Sequence, residues 1–227
     1  MLFLAVPALV AGAAGGGGIA AITQPSADIT LAFLQPGRID GIPVKEGDMV
    51  SERAVVAQMY DAAETAYLAQ KEVDLKRLEE AAKRNAATDL EVEHARLEVK
   101  IARIRVDNMK LRSPIKGFVE KIDVEVGESV QALKEVIRIV RTDPLWIDVH
   151  VPQAAACAVK VGEKASVRFP GPNSESAGGE IVFVAQAADA ASDTRRVKIE
   201  IANKAGRPSG EHVLVSFNEG GKTNETD

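Results

Sequence analysis

Side chains able to do covalent or metal chemistry are few in this 227-residue chain, and none stands in a pattern that makes a site. His94, His150 and His212 lie far apart in sequence and lack any close His/Cys/Asp ligand pattern, and read as isolated surface or half-buried histidines. The four methionines are too dispersed for a soft-metal relay. Cys157 is the single cysteine, which excludes an intrachain disulfide and any CxxC redox or zinc motif. It sits in the Ala-rich stretch 152–159, where a small buried thiol is expected. No GxSxG elbow, Walker loop or HExxH helix is present, and the glycine run 15–18 precedes no strand–loop–helix phosphate site. The expectation is a protein that is not an enzyme and needs no cofactor and no metal. Net charge −5 gives no electrostatic reason to bind nucleic acid, and 4% aromatics leave little for base or sugar stacking.

What remains is recognition by shape, and the stretch built for it is 61–110, read as two antiparallel helices joined by a short turn. Asp61 can cap the first helix, with Glu64 three residues on. Thr88-Asp89-Leu90-Glu91 repeats that arrangement at the second, where hydroxyl and carboxylate satisfy orphan N–H groups reciprocally. Acids gather at the second start (Asp89, Glu91, Glu93) and bases at its end (Arg103, Arg105, Lys110), as the helix dipole favours. The turn is Arg84-Asn85-Ala86-Ala87, with Asn85 suited to a left-handed C-terminal cap. Neither arm contains Gly or Pro, so a rod of roughly 35 Å is expected. Its charges nearly balance, and Glu72/Lys76, Glu79/Lys83 and Glu80/Arg84 can pair at i,i+4 on a solvated face.

The second helix carries two apolar seams that face nearly opposite ways. Leu90, Leu97, Ile101, Ile104 and Leu111 form one; Val92, Ala95, Val99, Ala102 and Val106, continued by Met109, form the other. A hairpin needs one seam for its partner helix, which offers Leu68, Leu75, Leu78 and Ala82. The surplus seam, assigned to Val92, Ala95, Val99, Ala102 and Val106, is expected to pack on another protomer or a partner. The alternative is one broad seam partly covered by Lys and Arg stems.

The rod is flanked by a repeat. At an offset of 80, residues 36–59 align with 116–139, pairing Gly37/Gly117, Ile42/Ile122, Val44/Val124, Gly47/Gly127, Val50/Val130 and Val56/Val136 as identities. Ile39/Val119, Asp40/Glu120, Asp48/Glu128 and Met59/Ile139 are conservative. Each copy reads as short strands around a Gly-Asp or Gly-Glu turn, so 29–60 and 111–140 are two half-domains that must meet at the base of the rod to bury their apolar faces.

Residues 1–23 carry no charge and contain an apolar core with a small-x-small site at Ala11-Gly12-Ala13, which resembles a secretory signal or, uncleaved, a membrane anchor. Residues 24–28 read as a polar linker and Thr142-Asp143-Pro144 as a boundary. Beyond it, strands at 145–151, 165–169, 180–187, 196–203 and 213–217, with a short helix over 152–159, predict a small closed barrel over 143–217. Residues 218–227 read as a polar, disordered tail.

The fold class expected is thus mixed α and β and elongated: a split β-domain, interrupted by a helical hairpin and followed by a small β-barrel. The half-repeats look like the halves of a lipoyl/biotinyl-type domain, with the rod in place of the short turn that holds the modified lysine in the carriers. Leu111-Arg112-Ser113-Pro114-Ile115-Lys116-Gly117, Val126-Gly127-Glu128, Asp143-Pro144-Leu145-Trp146, Asp193-Thr194-Arg195 and Pro208-x-Gly210 occur in order along the chain. In that order, over about residues 30–217, the chain resembles the periplasmic adaptor (membrane fusion protein, HlyD-like) family of efflux and secretion pumps.

The resemblance implies a periplasmic subunit attached to or associated with the inner membrane. It would self-associate as a trimer or hexamer and link an inner-membrane transporter of RND or ABC type to an outer-membrane exit duct, with no nucleic acid involved. The family's hairpin tip contacts the duct, and drug-efflux members carry Arg, then Leu four residues on, then Ser seven further. Arg77, Ala81 and Thr88 stand there in this chain, and Ala81 lacks the apolar knob. Arg84 and Asn85 complete the candidate tip. Most pump adaptors continue past the barrel with a membrane-proximal domain, so this chain reads as a short form. Two other readings are a membrane-anchored scaffold with no pump and a lipoyl-type carrier, which would need a Lys at the junction of the halves.

Overall fold

The computed structural model describes residues 18–170 and 175–217, which fall into two compact units. One is Ala27–Arg141; the other joins Met1–Ser26 to Thr142–Asp227. In chain order the elements are β1 (Ile19–Ala32), β2 (Gly37–Gly41), β3 (Met49–Val50), β4 (Val55–Met59), α1 (Ala62–Ala82), α2 (Asp89–Asn108), β5 (Lys110–Arg112), β6 (Gly117–Ile122), β7 (Ser129–Val130) and β8 (Glu135–Pro152). They continue as α3 (Gln153–Ala156), β9 (Lys164–Phe169), β10 (Glu175–Val184), β11 (Thr194–Ile201) and β12 (His212–Phe217).

The first unit is built by reciprocal exchange between its halves. β2 pairs antiparallel with β7, setting Gly37 opposite Val130, and β6 pairs with β3, setting Gly117 opposite Val50. The second pairing is the first displaced by the repeat offset. Hydrogen bonds follow the same rule. Ile39 N–H donates to the Glu128 carbonyl at 2.8 Å, and Val119 N–H to the Asp48 carbonyl at 2.9 Å. Gly47 N–H donates to Val119, and Gly127 N–H to Ile39, both at 2.8 Å. Neither half can satisfy its backbone alone. Gly47 and Gly127 hold φ of 89° and 91°, where an L side chain is strained, which explains why both turns keep glycine. The core mixes the two halves: Ile39, Val56, Val119, Val136 and Ile139 are among its fully buried members. Each such side chain contributes about 1.5–3 kcal/mol by leaving water.

In the second unit the strand order is β1-β12-β9-β10-β11-β8, and a further β1–β8 pairing closes a six-stranded barrel. Alternation fills it: Ile147, Val149 and Val151 from β8 meet Val197, Ile199 and Ile201 from β11 in the core, with Val213 and Val215 from β12. Asp143 and Asn203 tie the barrel rim. The Asn203 N–H donates to Asp143 Oδ1 at 2.9 Å, and its side-chain amide donates to the carbonyls of Thr142 and Arg207.

Three expectations need correction here. Ile19–Thr23, read as the end of a leader, and residues 24–28, read as a linker, are both part of β1. Ala21, Thr23 and Ser26 are buried, and the Thr23 hydroxyl accepts from Glu211 N–H at 3.0 Å. A strand edge at β12 must be covered, and this segment covers it. Residues 1–17, the rest of the leader reading, and 218–227, the tail, lie outside the described residues. The boundary read at Thr142-Asp143-Pro144 stands, since the first unit ends at Arg141 and the second resumes at Thr142, within the continuous strand β8. Finally, Cys157 is exposed; the buried members of its stretch are Ala156, which the short α3 turns inward, and Val159 beyond it.

Candidate functional site: the helical hairpin

α1 and α2 form the hairpin expected from the sequence, and their ends show why. At α2, Thr88 makes the full capping box: its Oγ1 accepts from Glu91 N–H at 3.3 Å, and Glu91 Oε2 accepts from Thr88 N–H at 2.8 Å. Hydrogen bonds from Thr88, its backbone N–H first and its hydroxyl second, hold the Glu91 carboxyl below its usual range. At the end of α1, Asn85 takes the left-handed conformation at φ 56°. Its N–H donates to the Ala82 carbonyl at 2.9 Å and Ala86 N–H to Ala81 at 2.9 Å, the two bonds of a Schellman cap. Asp61 occupies the N-cap of α1 but makes no capping hydrogen bond there; its carboxylate instead faces Gln58 Nε2 at 3.4 Å.

The seam assignment inverts. Val92, Ala95, Val99 and Ala102 are buried within the hairpin, with Val106 half-buried behind them, so they are not the oligomer seam. Leu68, Leu75, Leu78 and Ala82 of α1 are the half-buried residues facing them. The exposed seam is the other one: Leu90, Leu97, Ile101 and Ile104 are 80%, 50%, 52% and 51% exposed. The cause lies at the base. Met109 is buried in the core of the half-repeats, and its carbonyl accepts from Met59 N–H at 2.8 Å. Anchoring Met109 fixes the rotation of α2, and the residues in phase with it follow to the inside. Ala95 and Ala102 then let the helix axes approach closely, as Leu97 and Ile104 would not.

The shortest ion pairs of the hairpin run across it, beside i,i+3 pairs along each helix at Arg77–Asp74 and Arg96–Glu93. Lys71 Nζ lies 2.9 Å from Glu98, Arg96 Nη2 3.0 Å from Glu79, and Arg103 Nη2 2.7 Å from Glu72. Glu72 and Glu79 therefore do not take the i,i+4 partners their spacing offered. The Lys71 contact raises the lysine pKa and lowers that of Glu98.

Of the candidate tip residues, the fold brings Ala81, Arg84, Asn85 and Thr88 together at the turn. Arg84, Asn85 and Thr88 are exposed there and Ala81 is half-buried, its carbonyl engaged by the turn. Arg77 stands about one turn lower on α1, exposed, with Nη1 4.0 Å from Asp74. Elsewhere His94, His150 and His212 are all exposed. Among the described residues no group of three His, Cys, Asp or Glu could hold a metal, and no helix is long and apolar enough to cross a membrane.

Residues 144–217 match the CusB-like β-barrel domain. A stretch of 79 residues is 23% identical to the multidrug export protein EmrA of Haemophilus influenzae; it spans 35% of this chain but only a fifth (20%) of the relative's length. A MacA–MexA chimera carrying the α-hairpin domain of Pseudomonas aeruginosa MexA superposes with a TM-score of 0.70 at 19% identity, over 87% of this chain and 78% of its own. ZneB of Cupriavidus metallidurans does so with a TM-score of 0.58 at 19% identity, over 88% and 69%. Residues 144–217 are thus a CusB-like β-barrel domain, and the chain that carries them has the fold of the periplasmic adaptor, or membrane fusion, proteins.

Proposed function

We propose that this chain is an adaptor subunit of a multicomponent efflux or secretion system in the periplasm, linking an inner-membrane transporter to an outer-membrane exit duct. The observation that carries the reading is the insertion of a capped, ion-paired helical hairpin into a lipoyl-like unit that is followed by a CusB-like barrel. Such a chain works by geometry. The β-units form a collar through self-association, and the hairpin presents Ala81, Arg84, Asn85 and Thr88 at its turn, with Arg77 below, to a partner. Energy comes from the transporter. The half-repeats meet through β4 and β5, with the rod where a carrier would hold its lysine turn.

The test is a pull-down from cross-linked membranes of the wild type and of an Arg77→Asp, Thr88→Asp double variant. Aspartate can cap α2 as threonine does, so the second change alters the surface more than the fold. A transporter is expected with both proteins and a duct only with the wild type. Recovery of neither partner with the wild type would refute the adaptor reading.

A further inference from the structure

We propose that the cleft at the foot of the hairpin, between residues 32–34 and 107–112, binds a soluble amphipathic anion: a compact apolar body carrying one carboxylate, sulfonate or phosphate. The inference goes beyond the adaptor reading and does not depend on it. The cleft has a volume of about 300 Å³, at the lower end of small-molecule sites, and lies wholly within the unit Ala27–Arg141.

The internal repeat shows why the space is there. Its offset of 80 continues past the aligned segments, and so do its hydrogen bonds. Arg53 N–H donates to the Ser113 carbonyl at 2.7 Å, and at the matching positions Leu133 N–H donates to the Phe33 carbonyl at 2.8 Å. The side chains around the two bonds differ. Beside the first, Arg112 Nη1 donates to the Arg53 carbonyl at 3.1 Å. Beside the second, the match of Arg112 is Ala32, and the matches of Arg53 and Pro114 are Leu133 and Leu34, both exposed. A methyl group thus replaces a spanning guanidinium, and two leucines replace an arginine and a proline. A single exposed leucine is ordinary, but a pair beside a gap that the other copy closes marks a place to bind.

Charge then selects the ligand. Asp107, on the cleft wall, is answered by Arg112, whose Nη2 lies 3.2 Å from its Oδ1. Lys110, half-buried in the same wall, takes part in no ion pair among the described residues. The cleft therefore offers an apolar lining from Ala32, Leu34 and Leu111 and one cation without a countercharge. A partly desolvated ammonium gains more from an anion than a fully exposed one does. The apolar lining adds about 25 cal/mol for each Å² that the ligand covers. A cleft of this size admits a two-ring body but not the paired acyl chains of a membrane lipid, which is why the anion is a soluble one.

Two fluorescent dyes that share one apolar body test this on the purified full chain: anilinonaphthalene sulfonate, an anion, and N-phenylnaphthylamine, its uncharged counterpart. The anion is expected to bind saturably, and the neutral dye about tenfold more weakly, the scale of one charge-assisted hydrogen bond. Lys110→Glu should remove that difference by weakening the anion alone. Ala32→Arg, which copies the other half of the repeat, should fill the cleft and weaken both dyes while the thermal unfolding midpoint stays unchanged. Leu34→Ser, on the exposed rim, should also weaken both and reads the apolar lining without altering charge. Equal affinity of the wild type for the two dyes overturns the anion assignment, and binding that none of the three substitutions alters overturns the site. The pull-down above reads coupling to a transporter and duct, so either test can fail without the other.

Discussion

Thr88 is the residue where local chemistry and tertiary role coincide. Its hydroxyl and the Glu91 carboxylate satisfy each other's backbone N–H groups at the turn that a partner would meet. Thr88→Ala should cost about 1 kcal/mol, the usual worth of an N-cap, measured by urea unfolding of the full chain. The pH dependence has a definite sign. Glu91 has a folded pKa below its ordinary 4.5, so its contribution is complete above that value and is lost as pH falls through the lower folded one. The stability gap between wild type and Thr88→Ala should therefore narrow in acid. A gap that widened below pH 4.5 would remove Glu91 from the cap. Asp28 behaves alike, since hydrogen bonding from Arg138 holds its carboxyl below 3.8.

At the scale of the element, the hairpin shows that two equally plausible seams are told apart only by what the helix end is fastened to. Both lines on α2 have near-heptad spacing, and the line in phase with buried Met109 goes inside. The consequence can be measured. Ala102 is fully buried between the helices, so Ala102→Leu should force them apart and destabilise by about 1–3 kcal/mol. Ile104→Ser, on the exposed line, should leave monomer stability within about 0.5 kcal/mol. Thermal unfolding followed by the helical circular-dichroism signal separates the two, and the reverse ranking would restore the seam assignment read from sequence.

For the molecule as a whole, the half-repeats explain how a rod can be carried without disturbing the unit that bears it. β4 and β5 pair antiparallel with Gln58 opposite Lys110, so the chain leaves for α1 and returns from α2 at adjacent points of one sheet. Excising Ala62–Asn108 and joining the ends through an Asn-Gly turn should leave a folded β-protein that unfolds cooperatively, stripped of its helical signal. Loss of cooperative unfolding would show that the hairpin is part of the lipoyl-like core rather than an insertion into it. The same variant should fail to recover a duct in the pull-down.

Much of this was legible in the residues because its causes are local or repetitive. The capping box at Thr88, the left-handed Asn85, the glycines at 47 and 127 and the alternation of the barrel strands each depend on a few neighbours, and the structure shows all of them. Arg53 and Leu133, at φ 67° and 64°, share the same repeat offset yet gave no sign, since neither is a residue that favours such a turn. Which seam of α2 lies inside, that Glu72 and Glu79 pair across the hairpin, that Cys157 is exposed and that Ile19–Ala32 is a strand were decided by tertiary structure alone. Each depends on a partner distant in sequence: Met109 in the core, Arg96 and Arg103 on the facing helix, α3 against the barrel, and an edge of β12 that only β1 could cover. Periodicity marks a face for burial. Only the assembled fold decides against what.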